Sequence, residues 1–289
     1  MVDTIRPLLT LFKLRIGLTI VLTALAGMAV TPGPAPAPWQ IAILSLGVLL
    51  AAAASGGFNH YFDCDIDARM QRTRNRPFVT GQLRRSTGWL IFFGLLLLVP
   101  CLLVGWTING PSGLFVFLGA FFYGGVYTLW LKRRTWLNIV VGGAAGSFAI
   151  LAGAAAVDPA LGPLPLSLAL VLFLWTPPHF WSLAIALRSD YHAAGVPMLP
   201  VLVGDVVTAR VILGHTLVLM LASLLPYAYG LGPLYLAGAL AGGALFLYRS
   251  LRLVARPDPV TARANFRASI QQLALVLGGA ALDQWISRS

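Results

Sequence analysis

Asn59, Asp63 and Asp67 recur every fourth residue in the stretch Gly56-Gly-Phe-Asn-His-Tyr-Phe-Asp-Cys-Asp-Ile-Asp-Ala-Arg-Met-Gln-Arg-Thr-Arg-Asn-Arg-Pro77. On an α-helix a four-residue step turns the side chain by about 40°, so all three face one way. Two carboxylates and an amide carbonyl form a cluster of hard oxygens that suits Mg²⁺, which keeps several waters and completes its shell with substrate phosphate oxygens. Arg72, Arg74 and Arg76 follow at once, with guanidinium forks that match phosphate geometry. The combination points to a bound, metal-bridged polyanion. The plainer alternative is a membrane-helix end that turns polar where it meets water, with arginines that only fix topology. Asp65 points roughly opposite to the motif face and is left out of the metal set.

The elements that position this motif belong to a membrane. The chain has 289 residues, 58% of them hydrophobic and only 10% charged, and its mean hydropathy of +0.83 lies outside the range of soluble domains. All nine acidic residues are Asp, against 20 Lys and Arg. In a soluble protein the resulting +11 would suggest nucleic acid; here it has a topological meaning, and no nucleic-acid partner is expected. Cys64 and Cys101 are too few for a disulfide framework. Apolar segments of spanning length fall at 8–30, 39–62, 89–107, 114–131, 136–157, 166–187, 211–229, 234–253 and 266–286. The expected fold is an all-α polytopic membrane bundle of nine transmembrane helices, one integral-membrane domain over residues 1–289.

Alternate loops are nearly free of charge, and the loops between them carry the arginines. With the first residues cytoplasmic, 19 of the 20 positive charges lie inside and only Arg288 falls outside, a strong positive-inside pattern. The N-terminus is then cytoplasmic, the C-terminus external, and the Asn59 motif sits at the cytoplasmic end of the second helix. The segment Arg188-Ser-Asp-Tyr-His-Ala-Ala-Gly-Val-Pro-Met-Leu-Pro200 brings Asp190 to the same layer, and Pro197 and Pro200 are expected to stop any helix there.

Asn59-x-x-x-Asp63-x-x-x-Asp67 followed by Arg-Thr and Arg-Pro resembles the first aspartate-rich motif of the UbiA-type intramembrane prenyltransferases. Four further stretches are similar to the haem O synthase branch of that superfamily: 63–77, Tyr127-x-x-x-x-Lys-Arg-x-Thr-x-x-Asn138, Trp175-Thr-Pro-Pro-His-Phe-Trp181, and Asp190-Tyr-x-x-Ala-Gly-Val-Pro-Met-Leu-Pro200. Two positions depart from the pattern. Leu14 stands where the family often has Pro between a Lys and an Arg, and 146–153 lacks the Pro pair often found on the fifth helix.

The resemblance implies a bacterial inner-membrane enzyme that transfers a farnesyl group from farnesyl diphosphate to a vinyl group of haem b. It also implies association with haem A synthase or terminal-oxidase assembly. Mg²⁺ would sit on Asn59, Asp63 and Asp67, with Asp190 as a reduced second acidic motif, and Arg72, Arg76, Lys132, Arg133 and Tyr191 on the diphosphate. Ionising an allylic diphosphate requires the leaving group's charge to be neutralised, which metal ions and arginines do without proton transfer. Thr135 and Asn138 match family positions, though a polar residue one turn into a helix equally caps or links helices. His179, inside a span beside Pro177-Pro178, is a functional-site candidate by burial alone; it either contacts the haem or bonds between helices. Arg15 and Arg188 are candidates for the haem carboxylates. A prenyltransferase acting on an aromatic or quinone precursor uses the same donor site. A haem-binding or transport protein explains the charged loops and leaves the Asn-Asp-Asp spacing unaccounted for.

Overall fold

The computed structural model describes residues 2–288, with side chains from 7 to 287. The side chains of Arg6 and Arg288, counted above in the charge asymmetry, lie outside the described residues. Every regular element among those described is helical: α1 (Val2–Phe12), α2 (Leu14–Val30), α3 (Pro38–Phe62), α4 (Cys64–Arg69), α5 (Thr87–Thr107), α6 (Gly110–Phe121) continuing as a π-helix (Phe122–Leu131), α7 (Asn138–Gly142), α8 (Ala144–Ala155), α9 (Pro163–Ala186), α10 (Arg188–Ala193), α11 (Leu199–Ala222), α12 (Leu225–Ala228), α13 (Pro233–Ala255) and α14 (Pro259–Arg288). Lipid offers the backbone no hydrogen bonds, so spanning segments must satisfy their own, and helices do so.

Among the described residues eight segments are long and apolar enough to cross a bilayer: Pro7–Val30, Pro38–Phe62, Thr87–Thr107, Gly110–Leu131, Asn138–Ala155, Pro163–Ala186, Leu199–Ala228 and Pro233–Ala255. α14 is longer, at 30 residues, but Gln271, Gln272, Asp283 and Gln284 interrupt its apolar run. The ninth span expected from sequence therefore rests on its length and packing, not on its hydropathy.

The long helices close a ring in chain order. α2 packs on α3, α3 on α5, α5 on α6, α6 on α8, α8 on α9, α9 on α11, α11 on α13 and α13 on α14, and α14 returns to α2. Cross-contacts of α2 with α8 and of α9 with α14 fill the middle. Small residues permit the closest crossings. A Cβ added to Gly153 would lie 1.7 Å from the Ala24 carbonyl oxygen, and one added to Gly27 would lie 2.2 Å from that of Ile150. Between α9, α14, α13 and α11 runs a buried polar chain: Asn265 Nδ2 donates to Ser182 Oγ (3.0 Å), Ser250 Oγ donates to Asn265 Oδ1 (3.1 Å), and Ser250 meets Thr216 at 3.1 Å. In lipid such bonds link helices where apolar burial supplies no driving force.

Three local features differ from the sequence expectation. The first span is broken at Lys13, which adopts φ 48° and ψ 43°, the left-handed region, between α1 and α2. The π-helical segment is invisible to a hydropathy count. Pro200 begins a helix instead of stopping one: it occupies the first turn of α11, where a missing N–H leaves no bond unmade. α11 thus starts at Leu199, well before the expected 211, and a kink at Gly204 (φ 79°, ψ 169°) takes up the change of direction. α10 supplies the short segment expected after 187.

Two ends of the bundle result. At one, Gln40 Nε2 donates to Thr107 O (3.2 Å), Asn109 Nδ2 to Ala155 O (2.7 Å), and the Asp283 carboxylate accepts from Leu234 and Tyr235 N at the start of α13. The other end gathers α4, α10, the turn after the π-helix, and the arginine-rich loops.

Candidate active site

α3 delivers Asn59 one turn before its end, and Asp63 is the hinge to α4 (φ −85°, ψ 11°). The hinge preserves the helical phase because Asp63 N still donates to Asn59 O (3.0 Å) and Asp67 N to Asp63 O (2.7 Å). All three side chains are buried. The common face read from the four-residue spacing is present although the helix is interrupted within it.

Each oxygen-bearing side chain meets cations. Asn59 Nδ2 donates to Asp63 Oδ2 at 2.6 Å and to Thr128 Oγ1 at 3.2 Å, which leaves its Oδ1 to accept from Lys13 Nζ at 2.9 Å. Lys132 Nζ donates to Asp63 Oδ2. Asp63 Oδ1 is buried without a hydrogen bond, with Arg133 Nη2 no nearer than 3.9 Å. Arg76 Nη1 lies 2.5 Å from Asp67 Oδ2, and the Thr73 hydroxyl donates to Asp67 O, which fixes the turn that carries Arg76. Asp190 on α10 joins from across the bundle end, its Oδ2 accepting from Arg72 N at 3.3 Å. Tyr191 beside it is buried; burial pushes its hydroxyl above the ordinary tyrosine range, and the Arg72 guanidinium lies next to it.

The π-helix explains how the fourth span contributes. Bonds from i to i+5 put residues four and five apart on one strip, which aligns Tyr123, Tyr127, Thr128 and Lys132. The rings of Tyr123 and Tyr127 stack at 5.7 Å, and Tyr123 Oη accepts from Lys13 at 3.1 Å. Thr135 and Asn138 serve the next turn: Thr135 Oγ1 accepts from Leu137 N (3.2 Å), and Asn138 Nδ2 donates to Lys132 O (3.3 Å). Asn138 thereby holds the backbone of Lys132, and Thr135 caps the turn that follows it.

Arg133 is held elsewhere. It forms a two-pronged pair with Asp65, at 2.6 and 2.7 Å, and donates to Phe62 O. The Arg133 hydrogen bonds hold the Asp65 carboxyl below the usual carboxylate range. Both side chains are about half exposed, so the pair contributes under ~1 kcal/mol. Asp65 does lie off the motif face, as its helical phase requires.

The haem-contact candidates do not converge. His179 is buried between Trp175 (centroids 4.1 Å, 21° between planes) and Phe266 (4.3 Å, 27°). Its Nδ1 lies 2.7 Å from Ser269 Oγ; because that hydroxyl donates to Phe266 O, the imidazole Nδ1–H is the donor. This ties α9 to α14, the interhelical alternative. Arg188 faces Asp205 at 3.4 Å, and Arg15 is exposed.

Lys13, Tyr123 and Thr128 are the residues sequence reasoning did not place in the site. Lys13 carried a signal, since it and Arg15 are charges set inside the first apolar span. His60, also buried, has an Nδ1 without a partner.

Among the described residues no three His, Cys, Asp or Glu side chains are grouped to hold a metal. A divalent ion would rest on two Asp carboxylates and the Asn59 carbonyl, with the balance from water and phosphate, as Mg²⁺ prefers. The unpartnered, buried Asp63 Oδ1 fits that use.

The polytopic helical bundle gathers acidic and basic side chains at one end, and comparison with known proteins defines its class as an intramembrane prenyltransferase. Residues 20–276 match the UbiA prenyltransferase family, and the chain belongs to it. The fold is shared with a digeranylgeranylglyceryl phosphate synthase (TM-score 0.81, 18% identity, 98% of this chain and 99% of that one). It is shared also with a UbiA homologue from Archaeoglobus fulgidus, solved with GPP and Mg²⁺ (TM-score 0.70, 16% identity, 93% and 99%). Within the family the chain is a prenyltransferase of the protoheme IX farnesyltransferase branch. It is 53% identical to protoheme IX farnesyltransferase 2 of Paramagnetospirillum magneticum over 96% of both chains, and 47% identical to protoheme IX farnesyltransferase 1 of that organism over 94% and 96%.

Proposed function

We propose that the chain transfers a farnesyl group from farnesyl diphosphate to a vinyl group of haem b, giving haem O, in a Mg²⁺-dependent reaction at the cytoplasmic face of the bacterial inner membrane. What supports the donor half is the convergence of Lys13, Lys132 and Arg76 on the buried oxygens of Asn59, Asp63 and Asp67, with Asp63 Oδ1 left unpartnered. The acceptor half rests on full-length similarity to the protoheme IX farnesyltransferases.

Asn59, Asp63 and Asp67 would hold the metal, which when bound supplies charge neutralisation to the leaving diphosphate. Arg72, Arg76 and Lys132 carry the rest of that charge, and the neutral Tyr191 hydroxyl donates to a phosphate oxygen. As the allylic C–O bond breaks, its electron pair leaves with diphosphate. The stacked Tyr123 and Tyr127 rings shield and stabilise the allylic cation above the phosphate layer. The vinyl π pair forms the new C–C bond, and water adds to the resulting cation with loss of a proton, leaving a hydroxyalkyl side chain. Arg133 is a peripheral contributor because Asp65 holds it.

Membranes containing this chain, given haem b, farnesyl diphosphate and Mg²⁺, should form a later-eluting haem of raised mass that keeps its iron. Prenylation of 4-hydroxybenzoate with haem unchanged would replace this reading by the quinone-precursor one.

A further inference from the structure

Three of the oxygens that would bind a metal already have partners among the basic side chains, and Asp63 Oδ1 is left without one. Lys13 Nζ takes Asn59 Oδ1 at 2.9 Å, Lys132 Nζ takes Asp63 Oδ2, and Arg76 Nη1 takes Asp67 Oδ2 at 2.5 Å. Two lysine amino groups and a guanidinium therefore meet two carboxylates and an amide before any ligand arrives. A dication approaching alone meets like charge and finds Asn59 Oδ1, Asp63 Oδ2 and Asp67 Oδ2 engaged, with Asp63 Oδ1 left open. A diphosphate anion reverses both conditions, because it offers the two ammonium groups and the guanidinium stronger acceptors and leaves the three side chains free.

Lys13 is built for this position. It stands at the break between α1 and α2 in a left-handed conformation that a lysine rarely adopts, φ 48°, and such backbone persists where surrounding structure enforces it. Its stem lies over Gly56, where an added Cβ would be 3.4 Å from Lys13 Cδ. Its ammonium also donates to Tyr123 Oη at 3.1 Å, so displacing it from Asn59 leaves it a partner on the face that lines the donor site.

We propose that Lys13, together with Lys132 and Arg76, acts as a displaceable cation that closes the site to free divalent metal, so that metal and diphosphate enter as a unit. This rests on the reading of Asn59, Asp63 and Asp67 as metal ligands given above. The consequence is an order of binding: metal in the absence of an anion is excluded, and Asn59 presents its carbonyl oxygen only after Lys13 has transferred to phosphate.

The test measures protein-bound Mn²⁺ by equilibrium dialysis of the full-length protein in lipid nanodiscs, with and without inorganic pyrophosphate. Native protein should bind Mn²⁺ at least tenfold more tightly with pyrophosphate than without. Lys13→Met should tighten binding of Mn²⁺ alone by tenfold or more and shrink the pyrophosphate enhancement in proportion, whereas Lys13→Arg keeps the native pattern. Lys132→Met is the second variant and should act in the same direction through Asp63. If both Met variants bind Mn²⁺ alone no better than native protein, while Asp63→Asn abolishes binding in the presence of pyrophosphate, the metal site stands and the exclusion role is overturned. If Asp63→Asn leaves pyrophosphate-dependent binding intact, the metal-site reading falls, and this inference with it.

Discussion

Arg76 reaches back nine residues to set its Nη1 2.5 Å from Asp67 Oδ2, with the carboxylate buried and the guanidinium mostly so. The pair ties the loop after α4 to the acidic face, and it makes Asp67 dependent on one cation. Arg76→Ala leaves a buried charge without its partner, which costs roughly 3–5 kcal/mol for a fully buried pair and less here because Arg76 is partly exposed. Turnover should fall by a hundredfold or more and the melting temperature by several degrees. Arg76→Lys keeps the charge, loses the fork, and should fall between. Native-like kcat/KM in Arg76→Ala would remove Arg76 from the site.

Asp63 and Asp65 are two residues apart and occupy opposite environments. Asp63 is fully buried and touches Asn59 and Lys132; Asp65 is exposed and pairs with Arg133. Asp63→Ala, like Asp67→Ala, should abolish turnover in protein that still inserts, and Asn59→Ala should be severe. Asp65→Ala should cost less than threefold. The Asp65–Arg133 contribution has a defined pH sense: because Arg133 depresses the folded-state pKa of Asp65, it is present above the ordinary carboxylate range and lost as pH falls through the depressed value. Assay of the four variants in Mg²⁺-replete membranes separates the roles, and equal losses at Asp63 and Asp65 would contradict the assignment.

Topology provides a prediction independent of chemistry. The chain should cross nine times with the N-terminus inside, α14 being the last crossing despite its glutamines. α14 packs on α13, α9 and α2 and closes the ring, so its polar residues need not all meet lipid; Gln272 is buried and Asp283 caps α13. Reporter fusions after Pro36, Ser112 and Pro163 should read outside, and those after Arg76, Arg133 and Arg256 inside. A C-terminal reporter that reads inside would leave α14 uncrossed.

Much of this was legible in the sequence because the bilayer narrows the choices. Apolar length located the eight spans to within a few residues in most cases, and a four-residue recurrence of Asn59, Asp63 and Asp67 gave their common face even across the α3–α4 hinge. What was hidden depends on backbone detail that hydropathy does not encode. The π-helix alters which residues of 122–131 align, and so Thr128 and Tyr123 were not foreseen as partners of Asn59 and Lys13. Arg133 looked equivalent to Lys132 in sequence, but Asp65 captures it. Pro200 starts a helix where the sequence suggests a stop, because a proline's effect depends on whether it sits in the first turn or the interior, and the residues before it do not fix that position.

The crossing of α2 and α8 offers a stability test. Gly153 and Gly27 let the two backbones approach so closely that any Cβ meets a carbonyl oxygen, at 1.7 and 2.2 Å. Neither contact is with a flexible side chain, so the helices must separate. Gly153→Ala should destabilise by at least the 1–3 kcal/mol typical of overpacking, and Gly153→Val should abolish monodisperse protein. Gly214, where an added Cβ would meet nothing within 4 Å, is the comparison site; Gly214→Ala should melt at or slightly above native protein, because Ala is favoured over Gly inside a helix by roughly 0.5–1 kcal/mol. Equal melting of the Gly153 and Gly214 variants would mean the helices do not cross as described.

His179 separates a structural role from a haem-contact one. Its ring lies between Trp175 and Phe266, and its Nδ1–H bonds Ser269 Oγ, while Trp175 Nε1 donates to Ser269 O at 2.8 Å. The three aromatic rings and one serine thus join α9 to α14. His179→Ala removes a ring from that stack and opens a cavity, and comparable buried truncations cost about 2–5 kcal/mol. Lost hydrogen bonding to Ser269 adds roughly 1 kcal/mol. The melting temperature should drop by several degrees, and turnover should fall with the fraction of folded protein, with the KM for haem and for farnesyl diphosphate both unchanged. His179→Phe restores ring volume without the hydrogen bond and should recover most of the stability. An unchanged melting temperature in His179→Ala, with a rise in KM for haem alone, would instead assign the imidazole to the acceptor.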